Sequence, residues 1–327
     1  MLSRHFLRSK VLQAVYAAEA DPTESVFMVK RFDSQIDHLN MLGMWQISML
    51  TEIASVAREM LDEGKAKFRP TESDLNPVYC LPENPFLCAL ADNYDFRSFS
   101  ERYCVNWSGE QELFRKTFFE MRKEDFYKAY EKLSASPDKT YDDDFQFVLQ
   151  LFKYLVNNDT LRDNIFCRHL LWEDDFDQIA QYNYMMLKAI AKDFNESTVI
   201  PLMYDKREHK DVDDYEFAHQ LLLDTLKNRK ENDDLIRAHL RNWEFERIAL
   251  MDVLLLNMAI NELVGCPSIP ERVTVDEYIE LSKEFSTNKS KLFINGILDK
   301  LIIELRSSGR INKIGRGLYI PEKEDKE

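Results

Sequence analysis

The stretch PERVTVDEYIELSKEFSTNKSKLFINGILDKLIIEL, Pro270 to Leu305, decides the fold. It reads as two helices joined by one short loop. Pro270 stands where a helix has not yet begun, and Thr274 followed three residues on by Glu277 makes a capping-box pattern. The first helix is therefore expected to start near Thr274 and to run to Phe285. Residues Ser286 to Ser290 form the loop. In the second helix Ile294, Ile297, Leu298, Leu301 and Leu305 fall on one stripe at helical spacing. Gly296 sits inside that helix, where a glycine costs ~1 kcal/mol relative to alanine. Close approach of another helix or of a ligand is expected there.

Working outward, the same rhythm recurs. Upstream, Ile248, Met251, Leu255, Met258 and Ala259 form a stripe that Gly265, Cys266 and Pro267 end. At the other end of the chain, residues 3–20 read as a helix with Leu7, Val11, Ala14, Val15 and Ala18 on one face. Arg4 and Arg8 lie one turn apart beside that face. Positive charge at a helix N-terminus opposes the macrodipole; a bound phosphate would relieve the conflict, and plain surface cations are the blander reading. With 45% apolar residues, 8 Gly and 10 Pro in 327 residues, the composition argues helices and a real core, not a turn-rich β fold or a disordered chain.

Three separated blocks carry a resemblance. The run Val273 to Ser286 followed by Ser290 to Lys300 resembles the C-terminal signature of the NusB transcription antitermination family. The run Asp252 to Leu263 resembles the helix that precedes it there, and Arg4 to Tyr16 resembles the family's basic first helix. The likeness covers roughly the first 20 residues and 211–305. It implies an all-α fold: a NusB-like helical bundle with a large helical insertion after the first helix. The expected organisation is 1–20 as the basic first helix, 21–210 as the insertion, 211–305 as the C-terminal core and 306–327 as a flexible tail.

Inside the expected insertion, residues 22–68 read as one long helix, broken near Gly43 and stopped by Gly64 and Pro70. Residues 70–86, with Pro70, Pro77, Pro82 and Pro85, read as a loop and hinge. Residues 87–133 read as helical, with Trp107, Phe114, Phe118, Phe119, Phe126, Tyr127 and Tyr130 as core in preference to a base-stacking platform. Residues 141–192 compare with 211–263: Asp144, Phe145, Phe147, Gln150 and Leu151 match Asp214, Tyr215, Phe217, Gln220 and Leu221, and Trp172 matches Trp243. This is read as a degenerate duplication of a helix pair, against chance similarity between amphipathic helices. Residues 193–212, with Lys206 to Lys210, read as a linker.

Net charge is −15, which on its own speaks against a general nucleic-acid binder. The cations are concentrated at the ends. Residues 1–18 hold Arg4, Arg8 and Lys10 and no carboxylate, and Lys289, Lys291, Lys300, Arg306, Arg310, Lys313 and Arg316 outnumber Asp299 and Glu304 over 288–317. A focused basic site on an acidic body fits this distribution, as do solvated ends. Gly315-Arg316-Gly317 is too short to read as a phosphate loop. Five Cys without a C-x-x-C pair fit reduced, mostly buried thiols and a cytoplasmic protein; no secretory signal and no membrane span are read. No metal, phosphate-loop or nucleophile motif occurs, so neither an enzyme nor a cofactor is expected. Asp142, Asp143 and Asp144, and Asp174 and Asp175, are read as helix-end acids in preference to metal ligands.

Single-stranded RNA readers need cations for phosphates, aromatics for stacking, and amides or hydroxyls for base edges. On spacing alone Arg4, Arg8, Lys289 and Lys291 are the phosphate candidates, Tyr16 and Phe293 the stacking candidates, and Ser290 and Asn295 the base-edge candidates. Core packing for Tyr16 and Phe293, a bond to a neighbouring helix for Asn295 and a cap for Ser290 are the competing roles, and spacing alone favours these. The resemblance favours the RNA roles. It implies an RNA-binding antitermination factor acting on boxA elements of ribosomal RNA transcripts, with RNA polymerase and a small-subunit ribosomal protein acting as NusE. Asp252 matches the position that faces NusE. Asn257, where the family has Arg, Lys289, where it is often acidic, and the short basic run Arg4-His5-Phe6 depart from the pattern. The alternative is a helical scaffold that binds only protein. A detached accessory domain of an RNA-modifying enzyme is a further reading, without a methyl-donor motif to carry it.

Overall fold

A computed structural model describes residues 3–20, 27–75, 77–169, 171–203, 212–240 and 244–318. Among these the protein is all-α, with no strand. The helices are α1 (Arg4–Ala20), α2 (Met28–Lys65), α3 (Glu72–Leu75), α4 (Pro85–Asp92), α5 (Tyr94–Arg102), α6 (Gln111–Met121), α7 (Asp125–Ser134) and α8 (Tyr141–Val156). They continue with α9 (Asp159–Phe166), α10 (Trp172–Ile190), α11 (Val212–Lys227), α12 (Arg229–His239), α13 (Leu250–Gly265), α14 (Glu271–Phe285) and α15 (Ser290–Ser307). They divide into two compact units, residues 1–35 with 206–327 and residues 36–205.

The first unit is built around α13. Its residues from Asp252 to Leu263 are buried on every side, not on one stripe as the spacing suggested. The reason is neighbours: α1, α11, α12, α14 and α15 all pack on it. The apolar face of α1 is as the rhythm predicted, with Leu7, Val11, Ala14, Val15 and Ala18 buried. The stripe of α15 is buried likewise, from Ile294 to Leu305.

Two boundaries differ from the sequence reading. Helix α14 begins at Glu271 with Pro270 at its cap, so Thr274 lies one turn inside it. Its backbone N–H donates to Pro270 O at 3.1 Å, and its hydroxyl donates to Glu262 instead of capping. Helix α15 begins at Ser290, so the loop ends at Lys289. Among the described residues no atom from elsewhere stands within 4 Å of where a Cβ on Gly296 would point, so none of the described helices packs closely there.

In the second unit α2 passes Gly43 without a break. Gly43 is instead a close-packing position: a Cβ there would come within 2.8 Å of Met203 Cε, and its carbonyl accepts from Asn183 Nδ2 at 3.1 Å. The 70–86 loop contains the short α3, and 87–133 divides among α4 to α7 and their connections. Trp107, Phe114, Phe118, Tyr127 and Tyr130 are core, Phe126 is half-buried, and Phe119 is 56% exposed beneath Lys123. Asp143 forms a capping box with Thr140, and buried Asp144 is held by Tyr130 and Lys139. The order of α8, α9 and α10 is the long, short, long order of α11, α12 and α13; Trp243 lies outside the described residues. So do 22–26, 204–211 and 319–327, which carry parts of the long-helix, linker and tail readings. Three of the five thiols, Cys88, Cys104 and Cys167, are exposed, against the mostly buried set expected.

Candidate nucleic-acid interface

Burial separates the sequence candidates into two groups. Arg8 is the clearest case. Its guanidinium is 1% exposed and grips Glu262 by two hydrogen bonds, Nε to Oε2 and Nη2 to Oε1, each 2.7 Å. Glu262, itself fully buried on α13, also accepts from Thr274 Oγ1 at 2.9 Å and Tyr278 OH at 3.2 Å, both on α14. Burial works against the Arg8 charge, but the hydrogen bonds and attraction of Glu262 outweigh it and hold the group above its ordinary range. Burial, then the Glu262 charge, pushes the Tyr278 hydroxyl up. Arg8 therefore ties α1 to α13 and has no guanidinium left for a phosphate, which corrects the phosphate-contact reading.

Ser290 and Asp252 form a second buried pair. Ser286 Oγ donates to Asp252 Oδ1 at 2.6 Å and Ser290 Oγ donates to Oδ2 at 2.9 Å. The Thr287 N–H reaches Ser290 Oγ at 3.3 Å. Ser290 is 2% exposed and Asp252 6%. The pair fixes the start of α15 onto the start of α13. Ser290 then positions its neighbours, and its hydroxyl is not at the surface for a base edge. Asp252 likewise faces hydroxyls of its own chain in this structure.

The remaining candidates face solvent at least in part. Lys289 and Lys291 flank Ser290, are exposed, and have no ion-pair partner among the described residues. Phe293, one turn on, is half-buried. Tyr16 is 47% exposed. Asn295 is half-buried, makes only a long 3.5 Å contact to Asp299, and lines a groove of about 940 Å³ with Asp276, Asp299 and Arg306. Arg4 is 39% exposed, donates to Asp214 at 2.8 Å, and shares the Phe217 ring with Arg8.

The helix axis sets the scale of this surface. Asp252 and Glu262 lie about 15 Å apart along α13 at 1.5 Å per residue. Arg4 and Arg8 go with the Glu262 end, and Lys289 to Phe293 with the Asp252 end. Nothing local in the sequence predicts the Arg8 pairing except Glu262 itself, a carboxylate in a largely apolar helix. No group of three His, Cys, Asp or Glu among the described residues is arranged to hold a metal ion.

Comparison with known proteins bears on the same helices. The NusB family model matches residues 176–302, from within α10 through α11, α12, α13 and α14 into α15. Residues 176–302 are thus similar to the NusB family. Helix α1 lies outside the matched residues. The chain is 46% identical over 103 residues to the transcription antitermination protein NusB of Salinibacter ruber, covering 32% of this chain and 64% of that relative. It is 36% identical over 117 residues to the protein of the same name from Chloroherpeton thalassium, covering 36% of this chain and 56% of the relative. The chain thus spans less than two thirds of the length of either relative. The matched residues contain α13, α14 and most of α15, with the Asp252–Ser290 pair and the exposed Lys289 and Lys291. No described helix is long and apolar enough to cross a membrane.

Proposed function

We propose that this chain is an RNA-binding transcription antitermination factor, acting on boxA-type single-stranded elements of ribosomal RNA transcripts together with a NusE-type ribosomal protein in a polymerase complex in the cytoplasm. The observation that carries the reading is the NusB-family match at 176–302. The site geometry is compatible with it: Lys289 and Lys291 for phosphates, Phe293 and Tyr16 for stacking, Asn295 for a base edge, and Arg4 for a phosphate at the far end. Arg8, Ser290 and Asp252 hold these groups in place, and Asp252 is also the position proposed to meet the ribosomal protein. In this reading the protein binds and does not catalyse, and the insertion expected over 21–210 overlaps the family match from residue 176 onward.

The competing reading, a helical scaffold that binds only protein, draws on one observation: Arg8 is buried, which thins the cations available for RNA. Salt separates the two. Binding of a labelled boxA RNA should weaken with salt at a log–log slope near −0.7 per neutralised phosphate, by estimate for a single strand. Lys289→Ala with Lys291→Ala should weaken it and flatten the slope, and the NusE-type protein should tighten it. Partner binding without any RNA binding would leave the scaffold.

A further inference from the structure

Beyond the matched residues, the chain after α15 is strapped to the loop before α14. Ile314 N–H donates to Pro267 O at 3.0 Å, Gly317 N–H to Ile314 O at 2.8 Å, and Lys313 Nζ to Cys266 O at 2.9 Å. A Cβ on Gly317 would come within 2.1 Å of Pro267 O, a backbone atom that cannot give way, so this turn admits only glycine. Gly315 adds a φ of +53°. These constraints put Arg316 at a defined place: with Leu318 it forms one wall of a cavity of about 790 Å³. Arg4 comes to the same cavity from α1, and Ile269, Pro270 and Val273 from the loop and first turn of α14.

The chemistry of the walls is divided. The floor is apolar. The cations are Arg4, partly engaged by Asp214, Arg8, held by Glu262 and Glu277, and Arg316, which is exposed and has no ion-pair partner among the described residues. Glu277, the carboxylate among the lining residues, is already held by His5 and Arg8. The start of α14 has no side-chain cap, so its first N–H groups add positive potential. The volume falls in the range of about 300–1,000 Å³ typical of sites for small organic groups.

We infer that this cavity takes one nucleotide unit of the bound RNA, with its base on the Pro270–Val273–Leu318 floor and its phosphate between Arg4 and Arg316. The inference rests on the proposed function, and Arg4 supplies the continuity, since it belongs both to the RNA surface and to the cavity. The strand thereby reaches past the α1 and α15 contacts to a site whose far wall, Gly315, Arg316 and Leu318, lies beyond the family match.

The test compares a short labelled boxA RNA with the same RNA extended by a few nucleotides at each end, on wild type, Arg316→Ala and Gly317→Ala, with 5′-AMP as a free-nucleotide probe. The extension should tighten binding to wild type. Arg316→Ala should abolish that gain, flatten the salt slope for the long RNA by about 0.7, and leave short-RNA affinity unchanged. Gly317→Ala, by displacing the turn, should do the same. Short-RNA binding with no gain from extension, or a gain that survives Arg316→Ala, overturns the inference and leaves the proposed function standing. Binding of 5′-AMP lost in Arg316→Ala without any length gain makes this a free-nucleotide site and overturns the strand assignment. Failure of both RNAs to bind overturns the proposed function and the inference together.

Discussion

Arg8 and Glu262 meet through two 2.7 Å hydrogen bonds with 1% and 0% of their side chains exposed. One residue comes from the first helix and the other from the helix that every neighbour in the unit packs on. The Thr274 and Tyr278 hydroxyls occupy the remaining acceptor capacity of the carboxylate. A buried pair of this kind contributes little net stability over apolar residues of the same size, but losing one member leaves an uncompensated charge.

Arg8→Ala and Glu262→Ala should therefore each destabilise the first unit by about 3–5 kcal/mol, read as a fall in the urea midpoint. Replacing both with apolar residues, Arg8→Met with Glu262→Leu, should cost clearly less than the sum of the two single changes. Strict additivity in that cycle would show that the pair is not coupled. Loss of RNA binding in Arg8→Ala should track loss of fold and recover in the double variant, because Arg8, though it borders the cavity, is held by Glu262 and Glu277.

Asp252 gives a parallel prediction at the other end of α13. Asp252→Ala removes the acceptor of the Ser286 and Ser290 hydroxyls, leaving them to each other and to Thr287, and should cost about 1–3 kcal/mol. Asp252→Asn keeps an acceptor and a donor of similar shape and should cost less. If Asp252 also meets the ribosomal-protein partner, the Asn variant should weaken partner binding more than its stability change explains. Equal losses of partner affinity and stability in both variants would reduce Asp252 to its role at the start of α15.

These two pairs mark where the sequence was and was not legible. Helical rhythm predicted the buried faces of α1 and α15 because that signal is local: Leu7, Val11 and Ala14 repeat within one helix. The Arg8–Glu262 pair joins residues 254 positions apart, so Arg8 read as a surface cation. Thr274 read as a cap for the same reason; its hydroxyl had a better partner in Glu262, which no local pattern contains. Gly43 read as a breaker, whereas Met203 and Asn183 pack against it from far along the chain. The exposed lysines around Ser290 were legible as charge, but the burial of Ser290 between them was not.

His5 supplies a pH dependence. Its ring nitrogens contact Glu277 at 2.9 Å and Glu284 at 3.0 Å, joining α1 to α14, while Arg8 also approaches Glu277. Burial works against the imidazolium, yet the two carboxylates outweigh it and raise the pKa above its ordinary value of 6.5. A raised folded-state value means stability that is fully present below the unfolded value and lost as pH rises through the folded one. Wild type should thus exceed His5→Gln in stability most at pH values below about 6.5, with the difference shrinking above the raised pKa. A stability difference independent of pH in urea titrations would assign the contact to packing alone.

Gly296 offers a change that separates stability from binding. It lies inside α15, and nothing elsewhere among the described residues stands within 4 Å of an added Cβ. Its φ is not in the left-handed region, so alanine fits the backbone without strain. Gly296→Ala should stabilise the protein by roughly 0.5–1 kcal/mol, through helix propensity and reduced freedom of the unfolded chain. Packing within the chain gives no reason for glycine here, which leaves close approach by a ligand. Leu292 and Ile303 share its outward face, 74% and 70% exposed, and Phe293 is its neighbour. If RNA or the ribosomal protein approaches the helix at this point, Gly296→Leu should weaken that binding while Gly296→Ala weakens it less. Both variants, more stable than or equal to wild type by thermal unfolding, would then owe the loss to contact alone. Unchanged affinity in the leucine variant for both RNA and partner would mean that neither touches this face of α15.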